Sequence, residues 1–280
     1  MSYRNITLYL AADVCGEKPV CVDYAALLAQ HCGAHLTGLL SRPRLPMAYH
    51  YIPHSVIEEH KANLELAART ARDAFQASLA GYEISGEWIE YDGGALEAIH
   101  VHGRVADLLV IGQAGCKSED RILGDEYGAE LLRNDAVLDL GRPVLVLPAE
   151  ANGSAQVAGM RILAAWNGSK EATRAVHDAL PLLKRAGAVT VLCINSDGAA
   201  QESGGLLVRH LAQHDVAAEL SVLRQDGTEI GELILSEAAR HSADLLVMGA
   251  YGHVRWREVV FGGATETVLA DATIPVLFSH

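Results

Sequence analysis

Aromatic side chains are scarce in this 280-residue chain: nine Tyr, three Phe and three Trp, 5% of the whole. A core short of rings must be filled by aliphatic residues, and hydrophobic residues still make up 50% of the chain against 20% charged. That balance excludes intrinsic disorder and suits the space between helices and a buried sheet, where small and branched side chains pack. Positive charge is also short. Twenty-two Lys and Arg face 35 Asp and Glu, a formal net charge of −13. A general nucleic-acid-binding role needs the opposite balance, because phosphate backbones are held by basic surfaces. No apolar run approaches the ~18 residues of a membrane span. The opening Met1-Ser2-Tyr3-Arg4-Asn5 lacks the basic and apolar regions of a signal peptide. Cysteine is limited to Cys15, Cys21, Cys32, Cys116 and Cys193, an odd number without a Cys-x-x-Cys pair. The expectation is reduced thiols in a cytoplasmic protein. A zinc site at Cys15 and Cys21 would need four convergent ligands. Gly-x-Ser-x-Gly and a Walker-type Gly-Lys-Ser/Thr are absent too, which removes the motifs of a serine-hydrolase elbow and a P-loop.

What the chain does have is an internal repeat. Asp107-Leu-Leu-Val-Ile-Gly112 matches Asp244-Leu-Leu-Val-Met-Gly249. Each is followed by a loop, a helical stretch and a proline-led strand, Arg142-Pro-Val-Leu-Val-Leu147 and Ile274-Pro-Val-Leu-Phe278. Each half opens on a strand, Ile6–Ala11 and Arg161–Trp166, and the small polar stretch Ala149–Gly159 reads as a linker. A repeat this long means duplicated domains, here 1–150 and 158–280, since solenoid units run ~20–50 residues. In the second half, strands 161–166, 188–194, 217–223 and 244–248 alternate with helices at 170–186, 203–214 and 229–241. A short helix from 263 and a last strand follow. Ala172, Ala175, Val176, Ala179, Leu182 and Leu183 give the first helix its apolar face. The strands are near-continuous apolar runs, as in parallel sheets covered on both faces. The alternation predicts an α/β fold with doubly wound parallel sheets. The first half adds an insertion at Ser41–Pro53 before a helix at about 55–80.

Gly249-Ala-Tyr-Gly252 precedes nine residues and then Gly262-Gly-Ala-Thr265. A glycine after a strand is common in α/β proteins, and Gly-x2-Gly alone describes a turn. The x9 spacing, with a strand before and a helix after, points further. In open α/β sheets ligands bind beyond the carboxyl ends of the strands where the order reverses. A helix N-terminus there offers N–H groups and partial positive charge to a phosphate. Thr265 adds a hydroxyl donor, and His253, Arg255 and Arg257 put titratable or positive groups on the same loop.

Gly249-x2-Gly252-x9-Gly262, followed by Gly263-Ala264-Thr265 and an Ile-Pro-Val-Leu strand, resembles the universal stress protein family. Ile162-Leu-Ala-Ala-Trp-Asn-Gly-Ser169 is similar to that family's first strand and its Asp-Gly-Ser turn. The resemblance covers the second half by motif and the first half by strand pattern. It implies two tandem Rossmann-like (adenine nucleotide alpha hydrolase-like) domains, each a five-stranded parallel sheet of order 3-2-1-4-5 with helices on both faces. It also implies ATP, with magnesium accompanying the nucleotide, in the C-terminal domain. Ala165, Asn167 and Ile194 would line the adenine and ribose end. Gly249, Gly252 and His253 would lie under ribose and phosphates, and Gly262, Gly263, Ala264 and Thr265 would cradle the phosphates. Two departures stand out. Asn167 replaces the usual Asp, and Gly263 replaces a usual Ser or Thr, the lost hydroxyl costing on the order of 1–3 kcal/mol. In the first half, Gly112-Gln-Ala-Gly115 is followed by eight residues and then Gly124-Asp125-Glu126. Carboxylates there would repel a polyphosphate, so this half is read as a partner domain that does not bind, or binds differently.

The family resemblance also implies pairing of the two halves through 144–147 and 276–278, and self-association of the whole unit as a homodimer. The leading reading is a stress-response regulatory protein that binds an adenine nucleotide. A structural or dimerisation module with vestigial sites is the alternative. A slow ATP hydrolase is a second, with His253 and Glu258 as its candidate groups. Elsewhere, His100 and His102 lie two apart on a predicted helix 95–103 and do not share a face, which argues against a metal site. His50, His54 and His60 lie in or beside the insertion. Arg255, Trp256 and Arg257 suit a partner contact or packing beneath the loop. Glu229, Glu232 and Glu237 are expected on a solvated helix face.

Overall fold

The computed structural model describes residues 2–11, 20–42, 54–112, 136–148, 157–194, 198–224, 227–251 and 263–280. The expectations on Cys15, Cys116, His50, Gly115, Gly124, Asp125, Glu126, Gly252, His253, Arg255, Trp256, Arg257, Glu258 and Gly262 fall outside them, as does most of the 41–53 insertion.

The aspartate that opens each repeated segment plays the same part twice. Asp107 Oδ2 accepts from the N–H groups of Arg4 and Asn5 at 2.7 and 3.0 Å. Asp244 Oδ2 accepts from the Arg161 N–H at 2.8 Å. In each case a carboxylate at the start of the fourth strand holds the start of the first, and the backbone closes the pair through Asp107 N to Asn5 O and Asp244 N to Arg161 O.

The chain divides into two compact units, Tyr3–Ala136 and one that takes in Val137–His280. In the first, β1 (Asn5–Ala11), α1 (Val20–Cys32), β2 (His35–Ser41), α2 (His54–Gly81), β3 (Gly86–Tyr91), α3 (Ala95–Gly103) and β4 (Leu108–Gly112) alternate. The strands run parallel in the order β3-β2-β1-β4. Ile6, Leu8, Leu36, Leu39, Leu108 and Leu109 are fully buried, as two-sided cover demands. Phe75 of α2 and Trp88 of β3 meet at 5.4 Å over Gly38, whose missing Cβ makes the room.

The second unit holds β5 (Val144–Leu147), β6 (Arg161–Ala165), α4 (Lys170–Asp178), α5 (Leu180–Leu183), β7 (Ala188–Ile194), α6 (Gly198–Gln213), β8 (Ala218–Leu223), α7 (Ile230–Arg240), β9 (Leu245–Gly249), α8 (Gly263–Asp271) and β10 (Val276–Ser279). Its parallel strands follow β8-β7-β6-β9-β10, the expected 3-2-1-4-5 order. The sixth strand, β5, lies antiparallel on β10 and pairs Val144 with Phe278, Leu145 with Leu277 and Val146 with Val276.

Two local expectations change. The helix expected over 170–186 is two helices that meet at Ala179. Pro181 has no N–H to give to the carbonyl four residues back and its ring crowds it. Ala179 O instead accepts from both Leu182 N and Leu183 N at 2.9 Å. Glu229 and Glu232 are exposed, but Glu237 is buried at 7% exposure. Its Oε2 accepts from Arg240 Nη2 at 2.6 Å, a charged partner one turn on that makes burial tolerable.

Candidate functional site

The site begins where order reverses in the second unit. β7 and β8 lie on one side of β6, β9 and β10 on the other. Register puts Ala165 level with Leu192 and Met248, and Gly249 level with Ser279. Ala165, Ile194 and Gly249 therefore share the carboxyl edge of one sheet, across the β6/β9 switch point.

Leaving β6, the chain makes the Asn167-Gly168-Ser169 turn. Asn167 is exposed, and its Oδ1 accepts from the Ser169 N–H at 3.0 Å. Gly168 takes φ +74°, the left-handed region where glycine is cheap. Ser169 then caps α4, its Oγ accepting from Ala172 N at 3.1 Å. The amide at 167 thus does locally what an aspartate would do, without the charge.

The first turn of α4 rests on the end of β9. A Cβ added to Gly249 would lie 2.4 Å from Ala172 N and 2.5 Å from the Glu171 carbonyl carbon. Gly249 is therefore demanded by backbone packing. Glu171, its side chain 3% exposed, is buried here and pairs with Lys170 Nζ at 3.3 Å, which is 83% exposed. Burial pushes the Glu171 carboxyl up, but its own backbone N–H, Lys170 and Ser169 pull it further down, to below the usual carboxylate range.

At the other end of the loop, Gly263, Ala264 and Thr265 form the first turn of α8. Gly263 is exposed and Ala264 half-buried. Among the described residues, nothing lies within 4 Å of a Cβ placed on Gly263. Thr265 is 4% exposed, and its Oγ1 accepts from the Tyr251 N–H at 3.2 Å. Tyr251 sits at φ +55°, an unusual place for an aromatic residue. Ala250 is held as well, its N–H donating to Ser279 O at 2.9 Å and its carbonyl accepting from His280 Nδ1 at 3.0 Å. Both banks of the loop are fixed: Ala250-Tyr251 to β10 and α8, and Gly263 onward by the helix itself.

Trp166 was missed in the sequence. Its Nε1 donates to Ser203 Oγ at 2.9 Å and ties the end of β6 to α6. A tryptophan between a strand's last small residue and an Asn-Gly-Ser turn was its one visible signal. Also missed was a charged network in the first unit at the carboxyl ends of β2 and β3. Arg42 bridges Glu65 (3.0 Å) and Glu90, Arg72 holds Glu90 too, and Trp88 Nε1 donates to Glu90 Oε1 at 3.0 Å.

In the first unit Gly112 ends β4 as Gly249 ends β9, but a Cβ placed on it would meet, among the described residues, only the Cys21 side chain, at 3.9 Å. Cys193 is buried, and burial pushes its thiol up. His102 meets Tyr91 edge-on at 5.9 Å. No group of three or more metal-ligating side chains occurs among the described residues, and no helix among them is long and apolar enough to cross a membrane.

This sheet order, with a glycine-bounded loop at its switch point, defines an α/β protein of Rossmann-like type. Residues 160–280 match the model of the universal stress protein family, and this C-terminal domain belongs to that family. A universal stress protein from Archaeoglobus fulgidus DSM 4304 aligns at TM-score 0.70 and 16% identity, over 98% of this chain and 97% of its own. A functionally unknown protein from Pseudomonas aeruginosa PAO1 aligns at TM-score 0.63 and 16% identity, over 99% of this chain and 92% of its own. A universal stress protein solved in complex with cAMP aligns at TM-score 0.29 and 20% identity, over 53% of this chain and 99% of its own. The first two, at 16% identity, establish the fold alone. No curated protein matches the chain.

Proposed function

We propose that the chain is a cytoplasmic regulatory protein of the stress response that binds an adenine nucleotide, ATP with its magnesium, in the C-terminal domain. One observation carries the reading: the turn Asn167-Gly168-Ser169, the strand end at Gly249 and the helix start at Gly263–Thr265 all belong to the switch point of one sheet. A phosphate beside the α8 N-terminus would meet free N–H groups and the positive end of the helix dipole. Ala165, Asn167 and Ile194 then take the adenine and ribose end. Gly249 and the loop residues Gly252, His253 and Gly262 run beneath ribose and phosphates, and Gly263, Ala264 and Thr265 take the phosphates. Pairing of the two halves through their last strands belongs to the same proposal, supported by the ladder between 144–146 and 276–278, with self-association of whole chains a further step.

The test is mass spectrometry of nucleotide released from freshly purified, acid-denatured protein. About one ATP or ADP per chain is expected, and bulky substitution of both Gly252 and Gly262 should abolish it. No nucleotide, with no binding of added Mg-ATP, would overturn the proposal. A second reading, a structural module with a vestigial site, has its own support. Asn167 Oδ1 and Thr265 Oγ1 both already accept hydrogen bonds inside the protein, and the ionised Glu171 lies against Gly249.

A further inference from the structure

We propose that His210 and His214, at the carboxyl end of α6, form a two-histidine site for a divalent transition metal of the imidazole-preferring class, with Zn2+ as the representative ion. The site is separate from the nucleotide reading and does not depend on it.

Spacing comes first. Residues four apart lie on one helix face, one above the other, and α6 ends at Gln213 with His214 continuing its last turn, its N–H donating to Leu211 O at 2.9 Å. The two rings are 4.7 Å apart between centres, with planes at 65°. A metal–nitrogen bond of ~2.1 Å puts each ring centre ~3.2 Å from the ion, so two ligating rings have centres roughly 4.5–5.2 Å apart between square and tetrahedral angles. The observed separation lies inside that window.

Charge comes next. Lys184 and His177 repel a cation. The neighbouring Asp215 carboxylate attracts one. Two protein ligands leave the remaining positions to water, which makes the ion weakly held and exchangeable.

The experiment is titration of the intact, untagged chain with Zn2+ at pH 7.5, followed by calorimetry and by the ring-proton signals of the histidines. One ion per chain at this site is expected, with the His210 and His214 signals moving together. His210→Gln and His214→Gln should each weaken that event at least about tenfold, with the circular dichroism unchanged. A double variant that binds Zn2+ as the parent does would overturn the proposal. So would ring signals that stay still under Zn2+ while other histidines respond.

Discussion

Gly249 and Gly263 bound the same loop and are glycine for different reasons. At 249 a side chain would collide with the backbone of α4. Gly249→Ala should therefore cost about 1–3 kcal/mol through overpacking, read as a lower urea midpoint with unchanged slope. At 263 no described atom stands in the way, and φ is not in the left-handed region. Gly263→Ser should leave stability within about 0.5 kcal/mol. If the nucleotide reading holds, it should also tighten ATP by about 1–3 kcal/mol through the restored hydroxyl, as calorimetry would show. Glu171 gives a pH signature. Its folded-state pKa lies below the ordinary 4.5, so its ionised form stabilises the fold above that pH and the contribution fades as pH falls through the lowered value. Glu171→Gln should make the loss of stability below pH 4.5 shallower in acid titrations followed by circular dichroism.

Most elements were legible in the sequence because they obey one rule each. Alternating apolar strands and amphipathic helices predicted strand 188–194 and helix 95–103 to the residue. Partners one turn away, or across the sheet, were not legible. A helix-face reading counts Glu237 as solvated, since nothing in the period announces that Arg240 will cover it. Trp166 reads as a strand residue until Ser203, 37 positions on, meets its indole. The apolar spacings run through Leu182 and Leu183 without a break, and period alone does not register Pro181 between them and Ala179. For the candidate site, the glycine spacing located the crevice, while the internal hydrogen bonds of Asn167 and Thr265 needed coordinates. The strand 144–147 gives a prediction at this scale. It covers the free edge of β10 within the second unit. A fragment from 158 should self-associate through the bared edge Val276–Ser279, as unpaired strands do.

At the scale of the molecule, two compact units share one chain but only one carries the Asn-Gly-Ser turn and the x9 glycine spacing. A ligand that binds one folded unit stabilises that unit by mass action, about 2.7 kcal/mol at a hundred times its Kd. Added Mg-ATP should therefore raise the unfolding temperature of Val137–His280 and leave that of Tyr3–Ala136 where it was. Hydrogen exchange resolved by peptide distinguishes the two; equal protection in both would assign nucleotide to the first unit as well. Gly249 bears on descent as well as on stability. Because α4 needs that glycine whether or not anything binds, a lineage that gave up its ligand would go on inheriting it. The residue is then a record of architecture, mute about use. Drift would show first at 263, where no described neighbour holds the position to glycine.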